Sequence, residues 1–292
     1  MTTGTITRYF EERLSRMGYS FNGDSDICWS LGYCQGDGMD FAGRVSREGV
    51  IALYSRLVAP ISEARNERLW NALCDGAVSV EISRISSHYH HFNTMSVEVE
   101  WDADDLRATY GFTARQLARL DDFAAAVEDD VRSTSKTLEK EGYAILEACS
   151  PMWFRLSKHW KDGYLGDHRS TCTRTFRRGD FSVEVSMIQN DHLDGYESGD
   201  LEADHQDMLD MVAGKNVSYD LRLRILEDGN TVHEEWAHGV TDRRDQICPM
   251  AIARELLVGA RRILADKATR LSQFAGAARM AEIGARISHQ AV

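Results

Sequence analysis

Apolar and polar residues follow two patterns along the first half of the chain. Recurrence of apolar residues about every three to four positions predicts helices, and strict alternation predicts strands. The predicted helices cover 5–17, 48–58, 61–75 and 113 to about 140, and the predicted strands cover 27–34, 39–45, 78–85 and 94–101. Thr113 and Gln116 have the spacing of a capping box, which favours a helix start at that point.

The second half loosely follows the same order of elements, without a visible sequence repeat. Apolar or alternating segments lie at 143–156, 171–177, 181–188, 217–226 and 231–239. Pro249 then opens a final long helix with an apolar stripe. We therefore predict an α+β fold with two lobes, each made of antiparallel strands followed by a long amphipathic helix. The predicted lobes are 1–148, which contains the Gln-Gly-Asp-Gly hairpin, and 149–292, which contains an acidic segment and the long basic helix.

Composition favours a soluble protein and excludes a membrane span. Of the 292 residues, 43% are hydrophobic, and no apolar run approaches the roughly 18 residues that a spanning helix needs. The first 15 residues lack the pattern of a secretion signal, and the six cysteines include no C-x-x-C pair. These features lead us to expect a cytoplasmic protein, with its cysteines as buried free thiols, and no membrane partner.

The net charge of −12 is unevenly distributed. Residues 179–214 contain ten acids and no Lys or Arg, whereas 243–292 has nine basic residues against four acids. An uneven field of this kind bears on binding partners rather than on fold.

The acidic segment is a candidate surface for a protein partner. Duplex DNA carries one negative charge per ~1.7 Å of axis, so a row of carboxylates can compete with it for a basic groove. The candidate residues are Asp191, Asp194, Glu197, Asp200, Glu202, Asp204 and Asp207. The alternative is a solvated acidic loop without a partner.

The turn Gln35-Gly36-Asp37-Gly38 is a second candidate site. Glycine backbone amides can surround an anionic ligand, with Gln35 and Asp37 as polar contacts. The alternative is a tight turn in which glycine is needed only for backbone geometry.

A metal site is the third candidate. His88 and His90 share one face if the strand continues through them, and two imidazoles at that spacing can hold a divalent metal. Candidates for a further ligand are Asp37, Asp40, His192 and Asp194. The alternative is that these histidines lie at a hairpin tip or pair with acids.

Standard catalytic and nucleotide-binding fingerprints are absent from the sequence. Their absence weighs against an enzyme without excluding one. We expect no cofactor, except a divalent metal if the histidine site exists.

The segment from Trp29 to Gly43 resembles one that recurs in uncharacterised phage- and plasmid-borne proteins. In that family a short strand, Gln-Gly-Asp-Gly and an apolar-Phe-x-Gly step precede an Arg-Ile-x-x-x-Tyr-x-His-like strand, which corresponds here to 84–94. The resemblance covers about residues 25–100. Met39 stands where a smaller residue is usual, and the Tyr-His step carries an extra His. The resemblance implies a viral or mobile-element origin and assigns no catalytic residue.

The leading hypothesis is a non-enzymatic phage or mobile-element accessory protein in the cytoplasm of a bacterial host. It would bind a host protein or nucleoprotein complex as an acidic mimic of nucleic acid, in anti-defence or host takeover, without binding nucleic acid itself. One alternative is a metal-assisted hydrolase or nucleotide-acting enzyme that uses His88, His90, Asp37 and Asp40. Another is a small-ligand or nucleotide sponge. A homo-oligomer is compatible with each.

Overall fold

The computed structural model describes residues 5–23, 25–32, 37–85, 95–166, 169–178, 181–191, 201–262 and 265–266. The chain forms two compact units. The first contains the chain up to Leu146 together with the helix Leu201–Val212, and the second contains the remainder. The sequence-based division at 148/149 lies close to this boundary, but it places that helix in the other lobe.

The first unit contains a four-stranded antiparallel sheet and six helices among the described residues. The elements are α1 (Thr5–Arg16), β1 (Asp26–Ser30), β2 (Gly38–Arg44), α2 (Arg47–Leu57), α3 (Glu63–Cys74), β3 (Val78–Arg84), β4 (Met95–Trp101), α4 (Ala103–Tyr110), α5 (Ala114–Ala148) and α6 (Leu201–Val212). The strand order is β1-β2-β3-β4, so β1 and β4 are the edge strands. The core includes Phe10, Phe41, Leu53, Val80 and Phe123, all fully buried.

Side-chain caps mark several helix starts in this unit. Ser46 accepts a hydrogen bond from the Gly49 amide at the start of α2. Asp102 accepts bonds from the first amides of α4. The predicted capping box is confirmed: the Gln116 amide donates to Thr113 Oγ1 over 3.3 Å, and the Thr113 amide donates to Gln116 Oε1 over 3.0 Å. Each contact satisfies amides that would otherwise lack partners at a helix N-terminus.

Two half-buried polar clusters attach α5 to the rest of the first unit. Glu141 accepts a 2.7 Å bond from the Tyr9 hydroxyl and two bonds from the Arg13 guanidinium. Asp130 accepts a 2.5 Å bond from Tyr19 and a two-bond fork from Arg56. These contacts link α5 to α1, to Tyr19 in the segment between α1 and β1, and to α2.

The second unit contains a five-stranded antiparallel sheet. Its elements are β5 (Lys161–Tyr164), β6 (Ser170–Arg178), β7 (Phe181–Ile188), β8 (Asn216–Glu227) and β9 (Asn230–Arg243), paired in that order, with a 3-10 turn at Pro151–Trp153. Helix α7 runs from 249 to 262. Its buried residue Ala253 packs with Met187, Tyr219 and Leu221 in the main core of this unit.

The predicted α+β class is confirmed, since two antiparallel sheets occur and a long helix follows the last strand of each. Three elements were not predicted: α4, β5 and α6. The predicted helix that starts at 113 ends at about 140, whereas α5 extends to Ala148 and so includes the first part of the segment 143–156. The first strand ends at Ser30 rather than at 34.

Candidate functional site

Asp37 is held by two hydrogen bonds within the first unit. Ser30 Oγ donates to its Oδ1 over 3.0 Å, and the Tyr143 hydroxyl donates to its Oδ2 over 2.6 Å. The carboxylate therefore connects the β1–β2 hairpin to α5. Each of its two oxygens therefore accepts a hydrogen bond within the fold.

Asp40 lies within β2, opposite Cys28, and is only 6% exposed. The other members of the predicted hairpin and metal sites are Gln35, Gly36, His88, His90, His192 and Asp194, and they lie outside the residues that the structure describes. Among the described residues, no group of three or more His, Cys, Asp or Glu could hold a metal ion. The histidine site and the glycine-turn site stay predictions.

The described members of the acidic segment belong to both units. Asp191 belongs to the second unit, where its carboxylate lies 3.5 Å from Arg169. Glu202, Asp204 and Asp207 lie on α6 in the first unit. Asp194, Glu197 and Asp200 lie outside the described residues. The seven candidates are therefore divided between the two units.

Helix α6 is amphipathic rather than uniformly solvated. His205, Met208 and Met211 are buried, so residues three positions apart define the packed face. Glu202 forms a 2.5 Å ion pair with Arg16 of α1. Burial raises the pKa of the Asp207 carboxyl, and the neighbouring carboxylates of Asp210 and Asp204 raise it further. The ion pair with Arg16 thus neutralises the charge of Glu202, and burial disfavours the charged form of Asp207.

Negative charge is nevertheless concentrated in one unit. The sequence of the first unit holds 15 Lys and Arg against 29 Asp and Glu, a net −14. The second unit holds 19 against 17, a net +2. The two units therefore differ strongly in net charge, and almost all of the negative excess belongs to the first.

One group of exposed acids in the first unit lies on β3 and on the edge strand β4. Glu81 of β3 lies directly opposite Glu98 of β4, and Glu100 lies opposite Ser79. Glu81, Glu98 and Glu100 are exposed. Neither Glu98 nor Glu100 forms an ion pair with any described residue. Glutamates directly opposite each other repel, so this arrangement costs stability.

Asp104 and Asp105 follow β4 closely in the chain, in the first turn of α4, where both are exposed. We call Glu81, Glu98, Glu100, Asp104 and Asp105 the acidic edge. Sequence reasoning assigned these residues to a strand and a connection and not to a site. The available signal was the repetition of Glu on the solvent-facing positions of Ser96-Val-Glu-Val-Glu100.

Within the part of the chain that the structure describes, no helix is both long and apolar enough to cross a membrane. Comparison with protein-family models, with curated proteins and with solved structures finds no match to this chain.

Proposed function

We propose that this chain is a non-enzymatic accessory protein of phage or mobile-element origin, whose first unit binds a basic, nucleic-acid-binding surface of a host protein. The observation that carries the proposal is the separation of charge into a first unit of −14 and a second unit of +2. A field of one sign over a compact body steers a basic partner toward it and raises the association rate.

The acidic edge supports the proposal at the level of residues. Side chains on one face of a strand recur about every 6.7 Å, because each residue advances the strand by about 3.3–3.4 Å. Each DNA strand carries one phosphate per ~3.4 Å of axis, so Glu98 and Glu100 have about the spacing of alternate phosphates. The like-charged pair Glu81 and Glu98 lowers stability in the isolated protein, and a basic partner would relieve that repulsion.

The same charge argues against direct binding to nucleic acid. A unit of −14 repels phosphates, and the proposed target is therefore the protein that binds them. Because the proposed partner is a host protein that handles nucleic acid, the site of action would be the bacterial cytoplasm.

Three matched charge-reversal variants test the proposal. Glu98→Lys/Glu100→Lys changes the acidic edge, and Asp121→Lys/Asp129→Lys changes exposed acids on α5. Glu227→Lys/Glu255→Lys is the control, because it reverses two exposed acids of the second unit. Each variant alters net charge equally. Thermal unfolding first establishes that each is folded.

Wild-type protein and the three variants are immobilised and exposed to a nuclease-treated bacterial lysate. We expect wild type and the control to retain the same nucleic-acid-binding proteins, identified by mass spectrometry, and duplex DNA to release them. Both first-unit variants should retain several-fold less. Equal loss in the control, or retention that duplex DNA does not reverse, would overturn the proposal.

A further inference from the structure

The second unit contains an apolar cavity of about 580 Å³ between its sheet and α7. Most of the lining side chains are aliphatic or aromatic: Phe176, Phe181, Val183, Val185, Leu223, Ile225, Met250, Ala253 and Leu257. The remaining lining residues are Arg177, Arg254 and Arg261. Small-molecule sites in proteins are typically apolar, about 300–1,000 Å³ in size, and contain a few polar groups.

Strand register explains the floor of the cavity. Val183 of β7 lies opposite Ile225 of β8, and Val185 lies opposite Leu223. Side chains on one face of a strand recur every second residue, so these four share the face that α7 covers. Ala253 and Leu257 are four positions apart on α7 and line the opposite wall. Because the side chain of Ala253 is small, it leaves space above the sheet that a larger residue would fill.

One aromatic ring at the cavity remains exposed to solvent. Phe181, the first residue of β7, is 43% exposed although it contributes to the lining. An exposed phenylalanine beside an unfilled apolar space leaves hydrophobic area in water, and an apolar ligand would cover it.

The three arginines are exposed cations with no acidic partner among the described residues. Two other arginines of this unit have such partners: Arg224 lies 2.5 Å from Glu184, and Arg169 lies 3.5 Å from Asp191. Arg254 and Arg261 are seven positions apart on α7, which places them on the same side of the helix. Guanidinium groups hold carboxylates and phosphates through paired hydrogen bonds.

We propose that this cavity binds a small anionic amphiphile, with the alkyl chain against the valines and leucines and a single carboxylate or phosphate headgroup on the arginines. Charge complementarity selects the headgroup, and the apolar lining selects the tail. This inference is independent of the proposed function, because the cavity and its arginines lie entirely in the second unit.

The test is isothermal titration of the full chain with four probes below their micelle concentrations. Dodecanoate and dodecyl phosphate should bind and raise the Tm. Hexanoate has a shorter tail and dodecyltrimethylammonium has the opposite charge. Both should bind at least about tenfold more weakly than dodecanoate. Failure of dodecanoate to bind, or equal binding of the cationic probe, would overturn the proposal.

An arginine double variant and a matched control test whether dodecanoate binds in this cavity. Arg254→Gln/Arg261→Gln should weaken dodecanoate binding roughly 10- to 100-fold, since charge-assisted hydrogen bonds are lost. Arg243→Gln/Arg262→Gln is the matched control, because these exposed arginines of the same unit do not line the cavity. Equal weakening in both variants would contradict the assignment.

Leu257→Trp tests the tail site by filling the cavity, and it should abolish dodecanoate binding while the protein stays folded. Sizing the same samples identifies a different occupant. A concentration-dependent dimer that Leu257→Trp dissociates would show that a second copy covers this face, and would overturn the proposal. If Leu257→Trp does not fold, the arginine pair and its control decide the question alone.

Discussion

The imidazole ring of His205 on α6 stacks on the phenol ring of Tyr9 on α1, with ring centroids 5.3 Å apart and planes inclined by 24°. His205 is only 4% exposed, and neither of its ring nitrogens has a hydrogen-bond partner among the described residues. Burial lowers the pKa of this imidazole below its ordinary value of 6.5. The charges of Arg16 and Arg13 lower it further, and those of Glu12 and Glu202 oppose them. His205 is therefore neutral in the folded chain at pH 7.

Protonation of His205 should therefore destabilise the fold in mild acid. The unfolded chain binds this proton near pH 6.5 and the folded chain binds it only at lower pH, so stability from the neutral ring is present above 6.5 and lost below it. The free energy of unfolding should therefore fall as the pH falls below 6.5, and we expect His205→Leu to reduce the slope of this dependence by up to about 1.4 kcal/mol per pH unit. Urea unfolding from pH 7.5 to 5.5 measures it. His159→Leu, at an exposed position, should keep the wild-type slope, and an unchanged slope in His205→Leu would contradict the assignment.

Asp130 should be a strong contributor to stability in the first unit. Burial alone would raise the pKa of this carboxyl, but hydrogen bonds from Arg56 and Tyr19 outweigh burial and lower it. We expect Asp130→Ala to lower the free energy of unfolding by about 2 kcal/mol, because Tyr19 and Arg56 lose a shared acceptor. Asp129→Ala is the neighbouring control, since its carboxylate lies 3.8 Å from the exposed Arg132. That change should stay within about 0.5 kcal/mol at neutral pH. Similar losses in the two variants would exclude a special role for Asp130.

Local patterns predicted much of the fold, because they depend on residues close in sequence. The α1 helix and the Thr113–Gln116 capping box are of this kind. Helix α6 was missed because its acids suggested a loop, although Leu201, His205, Met208 and Val212 have helical spacing. Helix α4 has only eight residues, too few for a clear periodic signal.

The sites were less predictable, because they depend on contacts between distant residues. Tyr143 reaches Asp37 across 106 positions, and no local pattern indicates that the carboxylate is already occupied. The opposition of Glu81 and Glu98 requires the register of β3 against β4. The cavity in the second unit depends on how closely α7 approaches its sheet. None of these contacts produces a periodic pattern of residues in the sequence.

Two helical glycines should respond in opposite directions to the same substitution. A Cβ on Gly142 of α5 would lie 2.5 Å from Leu31 Cδ1 and 2.9 Å from Phe10 Cζ, inside the packed core. Gly142→Ala should therefore lower stability by roughly 1–3 kcal/mol, since overpacking outweighs the gain in helix propensity. A Cβ on Gly259 of α7 would lie 3.4 Å from the nearest atom of Glu235, which is ordinary contact. Gly259→Ala should raise stability by up to about 1 kcal/mol. Calorimetric unfolding of both variants checks the signs, and stabilisation by Gly142→Ala would show that this contact is not close.

The described cysteines should differ widely in their reaction with iodoacetamide. Burial, together with a 3.2 Å hydrogen bond to Asp162, raises the pKa of the Cys172 thiol to about 12. Burial likewise raises the pKa of Cys149, whereas Cys248 is exposed. Because the thiolate is the reactive form, Cys248 should be alkylated first, and Cys149 and Cys172 should react only after unfolding in urea. Peptide mass spectrometry over time measures each site. Cys248→Ser should remove the fast phase attributed to this thiol, whereas rapid labelling of Cys172 in the folded protein would show that this strand of the second unit opens to solvent.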